Sequence, residues 1–152
     1  MAKDTAAGWV VFALAGQDYA ISVDAVERVL AAAEVRPLPG APAIVLGLLD
    51  LHGEVLPVLD LQQRLGRPPR TLDVDDQFLV VRTPWRRLVL VIDEARGVVV
   101  LPAAEAGVLA AAGATFGGLV RLDGGLVLVH DIEQFLDVRE SHRLELALEA
   151  AA

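Results

Sequence analysis

Short runs of aliphatic residues, divided by residues that favour turns, recur along the whole chain. The runs are four to seven residues long, and many contain valine or isoleucine, whose β-branched side chains favour strands over helices. The predicted strands are 9–14, 19–23, 45–51, 55–59, 78–81, 88–92, 98–101, 119–122 and 126–129.

Very short gaps join several of these predicted strands. His52-Gly53 and Asp123-Gly124 each stand between two strands at the spacing of a two-residue hairpin. Longer hairpin turns are expected at 15–18 and 84–87. Gaps of this length cannot hold a parallel crossover, so the sheets are predicted to be mainly antiparallel.

Part of the chain is present twice. Segments 47–66 and 118–137 align without a gap and are identical at eight of twenty positions, and segments 19–24 and 88–93 resemble each other more weakly. The repeat predicts two similar lobes, at about 8–66 and 77–137, joined by a linker at 67–76 that is rich in proline and charge. Because a lobe near sixty residues is marginal alone, both lobes are expected to form one domain, 8–137.

Helices are predicted to be few and short. Asp60 and Asp131 each stand three residues before a glutamine, which predicts an aspartate N-cap with the glutamine reaching back. Gly66 is expected to end the first of these helices. Segment 102–109 begins with proline and is a further candidate helix. Segment 141–151 is predicted to be helical within a C-terminal tail, 138–152.

Several predicted strands lack the alternation of apolar and polar residues that a sheet with one wet face should show. Segments 9–14, 88–92 and 126–129 are apolar on both faces, and no long helix is predicted to cover the outer one. The surplus apolar surface must pack against the other lobe, against a partner protein, or against both.

Composition narrows the classes of partner and the compartment. A formal net charge of −8 and the absence of a basic run argue against nucleic acid and anionic membranes as partners. The chain has no cysteine, so disulfides and thiolate chemistry are excluded. Neither a signal-peptide core nor a membrane-spanning run is present, so a cytoplasmic protein without membrane insertion is expected.

The sequence gives little support for a catalytic or metal-binding site. Asp60/Asp131 and Asp24/Asp93 are equivalent aspartates of the two lobes and could form a shared-proton dyad, but neither pair lies in an Asp-Thr/Ser-Gly turn. The three histidines are His52, His130 and His142, and they lack the spacing of metal ligands. No phosphate-binding loop or nucleophile turn is present. The residues indicate contact with other proteins rather than catalysis, with neither cofactor nor metal, and a small aspartic hydrolase is kept as an alternative.

Trp85 stands in a predicted hairpin tip beside Arg86 and Arg87. A tryptophan next to arginines is typical of an interface anchor. It could equally form a lid on the end of its own barrel. Both interpretations are kept open.

Several segments together resemble the CheW family, the adaptors of bacterial chemosensory arrays. The most specific is 45–61, with Gly47, His52-Gly53 and the Pro57-Val58-Leu59-Asp60 ending, which is similar to the family's glycine-asparagine-leucine-arginine-glycine…proline-valine-aspartate hallmark. The other similar segments are 12–21, 26–29, 37–42, 90–93 and 131–136.

The resemblance implies an all-β fold with a few short helices, built from two five-stranded SH3-like barrels related by a pseudo-two-fold. It implies an adaptor that binds the cytoplasmic tip of a chemoreceptor and the regulatory domain of a CheA-type histidine kinase at receptor arrays. It also allows contact with further CheW-like copies.

The resemblance also implies site residues. Val26 and Gly47 match family positions associated with receptor contact. Arg28 and His52 stand where the family commonly has an acidic residue and an arginine, which points to a divergent pathway. The candidate receptor-groove residues are therefore Val26, Arg28, Gly47 and His52, and Trp85 and Arg86 are candidate kinase or ring contacts. The alternative function is a two-barrel interaction module that self-associates or binds another regulator without a chemoreceptor.

Overall fold

Eleven strands and four short or medium helices account for most of the described chain. The computed structural model describes residues 6–102, 115–116, 119–122, 124–129 and 131–151. The strands are β1 (Ala6–Leu14), β2 (Gln17–Ser22), β3 (Val26–Ala31), β4 (Val45–Leu51), β5 (Glu54–Leu59), β6 (Gln77–Arg82), β7 (Arg87–Ile92), β8 (Glu94–Pro102), β9 (Thr115–Phe116), β10 (Leu119–Arg121) and β11 (Val127–Val129). The helices are the 3₁₀ turns Val23–Ala25 and Ile132–Phe135, α1 (Leu61–Arg64) and α2 (Val138–Ala151).

All nine predicted strands are present, with shifted ends. β8 starts four residues earlier than predicted, at Glu94, and α2 starts three residues earlier than predicted, at Val138. Two of the eleven strands are not among the nine: β3, which contains segment 26–29 of the family resemblance, and the two-residue strand β9, which was not predicted. Residues 103–109 of the predicted third helix, His130, and Asp123 of the second predicted hairpin turn lie outside the described residues.

The strands form two sheets. Sheet A has the order β8-β1-β2-β11-β10-β9, and sheet B has the order β3-β6-β7-β5-β4. The pairs are antiparallel except for β2 with β11 and β5 with β7, which are parallel and lie far apart in sequence. The prediction of mainly antiparallel, all-β architecture is confirmed.

The two sheets exchange the strands of the two predicted lobes. The first hairpin of lobe 8–66, β1–β2, joins the second hairpin of lobe 77–137, β10–β11, in sheet A. The complementary hairpins, β6–β7 and β4–β5, join in sheet B. Each intervening strand crosses as well, because β3 pairs with β6 and β8 pairs with β1. The predicted lobes therefore do not each coincide with one sheet, since local patterns fix hairpins and distant packing fixes their partners.

Three hydrophobic clusters fill the space around the sheets. One cluster draws on both sheets and lies between them, and we call it the shared core; its members include Phe12, Tyr19, Leu90 and Phe135. The second, with Phe78 and Val89, lies within sheet B, and the third, with Trp9 and Leu128, lies within sheet A.

The shared core explains the strands that are apolar on both faces. In β7, Leu88, Leu90 and Ile92 enter the shared core, while Val89 and Val91 enter the cluster of sheet B. Strands β1 and β11 divide their side chains in the same way between the shared core and the cluster of sheet A. The shared core therefore covers one face of these three strands and the cluster of their own sheet covers the other, without a partner protein.

The C-terminal helix α2 is part of this packing. Leu144 is fully buried and Ala147 is nearly so, both in the shared core. An ion pair of 2.5 Å between Arg64 and Glu140 joins α1 to α2. Among the described residues, no helix is both long and apolar enough to cross a membrane.

Candidate protein-interaction surface

The most exposed large hydrophobic side chains of the described strands lie on β8, at one edge of sheet A. Val98 and Val100 of β8 are 62% and 67% exposed, and Val23 of the first 3₁₀ turn is 40% exposed. We call these three residues the valine patch.

Gly8 makes the valine patch continuous. A Cβ at Gly8 would lie 3.1 Å from Cγ2 of Val23 and 3.7 Å from Cγ1 of Val98, so both valine side chains reach over this glycine. In the register of β1 and β8, Gly8 lies opposite Val100. Because Gly8 has no side chain, the side chains of Val23 and Val98 can come together over its backbone.

The valine patch extends the face of sheet A that carries the shared core. Val98 lies opposite Val10, and side chains that are directly opposed in an antiparallel pair share a face. Val10 packs against the shared core, as does Val26 at the start of β3, directly after the 3₁₀ turn that holds Val23. The patch is therefore apolar surface between the two sheets that the described residues do not cover.

Charged residues border the other side of β3. Glu27 receives hydrogen bonds from Arg87 (2.8 and 2.9 Å) and Arg82 (2.7 and 3.0 Å), and Arg87 also pairs with Glu54. These bonds, those from Arg87 first, lower the pKa of Glu27 to about 2. The ladder crosses four strands of sheet B, in the order β3, β6, β7 and β5. Glu27 is thus held on the sheet, whereas its neighbour Arg28 is exposed.

Gly47 meets its own chain rather than open surface. It has a φ of +154°, and a Cβ there would lie 2.1 Å from the carbonyl oxygen of Arg36. Two backbone hydrogen bonds, of 2.9 and 2.7 Å, join Arg36 to Leu48 and bring segment 35–36 onto β4. The glycine is required by this close approach.

His52 lies at the tip of the hairpin between β4 and β5. Its φ is +55° and that of Gly53 is +89°, which fits the two-residue turn predicted from the sequence. The carboxylate of Asp50 accepts a hydrogen bond of 2.9 Å from the amide of Gly53 and closes the turn. His52 is exposed at this tip, and its side chain is open to solvent.

The two candidate kinase contacts differ in exposure. Trp85 is 73% exposed in the turn between β6 and β7, so it does not form a lid on the barrel. The side chain of Arg86 is only 16% exposed; it donates a hydrogen bond of 3.0 Å to Ser141 and lies 3.6 Å from both Glu133 and Glu145. Arg86 therefore fixes α2 against the hairpin, and Trp85 is the member of the pair that is open to a partner.

The paired aspartates have separate local functions. Asp60 accepts a hydrogen bond of 3.1 Å from the amide of Gln62, and Asp131 accepts one of 3.1 Å from that of Glu133. The predicted N-caps are confirmed, although each glutamine side chain donates to the cap carboxylate instead of accepting from the backbone amide of the cap residue. The amide of Arg70 also donates to Asp60. Within the described ranges, no cluster of three or more His, Asp or Glu residues could hold a metal ion.

The sequence did not single out the valine patch. Segment 98–101 was predicted to be a strand, but nothing in it shows that β8 lies at the edge of a sheet. Its run of three valines directly after Gly97 is the one local signal, because uninterrupted valines on an edge strand leave one apolar face open.

A fold of two sheets with exchanged hairpins around a shared core, and with an open apolar surface between them, defines a class of interaction module. The family model of the CheW-like domain matches residues 8–140. The chain belongs to the CheW-like domain family.

Relatives of known name support this membership. The chain is 27% identical over 144 residues to the chemotaxis protein CheW of Treponema pallidum (strain Nichols), covering 89% of this chain and 85% of that protein. It is 28% identical to the chemotaxis protein CheW of Thermotoga maritima, covering 83% and 85%. The crystal structure of the scaffolding protein TtCheW from Thermoanaerobacter tengcongensis shares the fold, with a TM-score of 0.69, 18% identity, and coverage of 89% and 95%.

Proposed function

We propose that this chain is a non-catalytic chemotaxis adaptor that couples a chemoreceptor to a CheA-type histidine kinase at cytoplasmic receptor arrays. Membership of the CheW-like family and the names of its relatives support the adaptor class. The observation that carries the receptor part of the proposal is the valine patch, an apolar surface left open between two otherwise well-packed sheets.

The valine patch suits the apolar face of a helical receptor tip. A helix that lies on an apolar surface buries side chains at helical spacing, and the exposed valines of the patch offer such a surface. Val26 lies at the border of the patch and Arg28 follows on the exposed edge of β3, so these two predicted residues are placed to contact the same helix. Gly47 would act indirectly, through the position of segment 35–36, and His52 would contact the receptor only beyond the patch.

The charges at this surface favour a particular receptor. Arg28 offers a permanent positive charge where the family commonly has an acidic residue, and it would repel a wrong partner that presents a positive charge at this point. The receptor of this chain would therefore present an acidic residue to Arg28. Trp85 is the candidate contact for the kinase, since it is the exposed aromatic residue of the β6–β7 turn.

The test compares a pair of valines in the patch with a single valine outside it, for binding to a chemoreceptor fragment and a CheA-type kinase from the same organism. We expect the double variant V98E/V100E to lose about tenfold or more of its affinity for the receptor, since it places charge in a desolvated contact. The matched control is V74E, because Val74 is 88% exposed and lies in the loop between α1 and β6. Binding to the kinase should change little in either variant.

Each result decides between the candidate functions. Binding of the unsubstituted protein to neither receptor nor kinase would overturn the adaptor proposal. Self-association under the same conditions would then favour the alternative, an oligomerising two-barrel module. Equal loss of receptor affinity in V74E and V98E/V100E would show that the valine patch is not the receptor site.

A further inference from the structure

A cavity of about 320 Å³ lies between the end of α1 and the strands β2, β11 and β10 of sheet A. It is separate from the valine patch and from Trp85. Leu65, Leu119 and Val127 form its apolar walls, and Arg67, Arg121 and Tyr19 supply its charged and hydroxyl groups. Among the residues that the structure describes, no aspartate or glutamate lines it, although the chain carries a net charge of −8.

The backbone places Arg67 at the cavity. Gly66 follows α1 with a φ of +78°, its amide donates to the carbonyl of Gln63 (3.2 Å), and the amide of Arg67 donates to that of Gln62 (3.0 Å). This pair of bonds is the Schellman motif, which turns the chain sharply at the end of a helix. Arg121 is held on β10, opposite Val127 of β11. Both arginines are therefore anchored through regular backbone structure.

Both arginines are free of ion pairs with the described residues. Seven other arginines form such pairs, and these are Arg36, Arg64, Arg70, Arg82, Arg86, Arg87 and Arg96. Two positive charges beside one cavity, with no carboxylate among the described residues of its lining, attract an anion.

Tyr19 adds a hydroxyl to this positive surface. The residue is 96% buried, as only 4% of it is exposed, and its ring stacks on Phe12 with 5.5 Å between the ring centres. Burial raises the pKa of Tyr19, and the positive charges of Arg67 and Arg121 act on the hydroxyl in the opposite direction. The hydroxyl is thus a donor at neutral pH, within the field of both guanidinium groups.

We propose that this cavity binds a small molecule that carries a phosphate group, held by Arg67, Arg121 and Tyr19. A phosphate monoester has a charge of about −1.5 to −2 and three acceptor oxygens, which two arginines and one hydroxyl match. The cavity is larger than a phosphate ion needs and falls within the usual range for small-molecule sites, so its apolar walls would hold the body of the ligand. This inference does not rest on the proposed adaptor function.

The single tyrosine of the chain gives a specific measurement. With ¹³C-labelled tyrosine, one ring signal reports on the cavity during titration with phenyl phosphate, inorganic phosphate or phenol. We expect saturable binding of phenyl phosphate with a dissociation constant of about 1 mM or tighter. The other two probes should bind more weakly, because inorganic phosphate lacks the apolar ring and phenol lacks the phosphate group.

Matched arginine variants locate the binding. R67A and R121A should each weaken phenyl phosphate about tenfold or more, since each removes a charge-assisted bond. R139A is the control, because Arg139 is exposed on α2 and does not line the cavity. A far-ultraviolet circular dichroism spectrum like that of the unsubstituted protein shows that each variant is folded.

Three results would overturn the proposal. They are the absence of a saturable shift with phenyl phosphate, an undiminished shift in the R67A/R121A double variant, and equal weakening in R139A. Inorganic phosphate that binds as tightly as phenyl phosphate would overturn the assignment of the apolar walls to a ligand body.

Discussion

Gly47 and Gly53 both adopt a positive φ, but their surroundings differ. A side chain at Gly47 would enter the backbone of Arg36, whereas a Cβ at Gly53 meets nothing within 4 Å. Gly47 therefore allows segment 35–36 to form its backbone hydrogen bonds to β4, the edge strand of sheet B. This close approach explains why position 47 of the hallmark is a glycine, and no contact with a partner protein is needed to explain it.

We expect G47A to destabilise the protein by about 3 kcal/mol, because the added methyl group displaces segment 35–36 and breaks its two backbone bonds to Leu48. G53A should cost about 1 kcal/mol, the strain of a left-handed residue alone. Chemical denaturation measures both values. Equal destabilisation by the two substitutions would contradict the role given to Gly47.

Sequence patterns predicted the local structure of some candidate site residues but not the exposure of others. His52 was correctly placed in a hairpin turn, since a two-residue gap between strands leaves little choice. The exposure of Trp85 and the burial of Arg86 could not be predicted, because the turn brings them against α2, whose position depends on distant contacts. The valine patch depends in the same way on which strand ends at a sheet edge.

At the scale of elements, local patterns predicted most strands, the hairpin at His52-Gly53 and both aspartate caps. These features depend on neighbours within a few residues of one another. The pairing of hairpins could not be predicted, because β2 pairs with β11 and β5 pairs with β7, and long stretches of chain separate the members of each pair. The helix α2 is a similar case, since its sequence shows an amphipathic segment but not its place in the shared core.

We expect L144A to destabilise the protein by about 3 kcal/mol, because Leu144 is fully buried in the shared core and its removal leaves a cavity. L146A is the control, in the same helix and with the same change, but Leu146 is 51% exposed and should cost no more than about 0.5 kcal/mol. Thermal or chemical unfolding gives both values. If L144A were as mild as L146A, α2 would be a dispensable tail.

At the scale of the whole molecule, the exchange of hairpins joins the two sheets. Sheet B is built from the continuous segment 26–92, while sheet A combines β1 and β2 with strands from the second half of the chain. Sheet A therefore cannot form until the chain on both sides of sheet B has come together. The shared core adds to this dependence, because separation of the sheets would expose side chains of both.

This arrangement predicts one cooperative unfolding transition, and the two tryptophans can test it. Trp9 lies in the cluster of sheet A and Trp85 lies in the β6–β7 turn of sheet B. In the single-tryptophan variants W85F and W9F, the fluorescence of the remaining tryptophan should follow the same denaturation curve as the far-ultraviolet circular dichroism of that variant, since coincident probes mark two-state unfolding. Comparison within each variant removes the effect of the substitution on stability. A Trp85 signal that changed at a lower denaturant concentration than the circular dichroism would show that sheet B opens by itself, and the shared core could not then be the contact that unites the molecule.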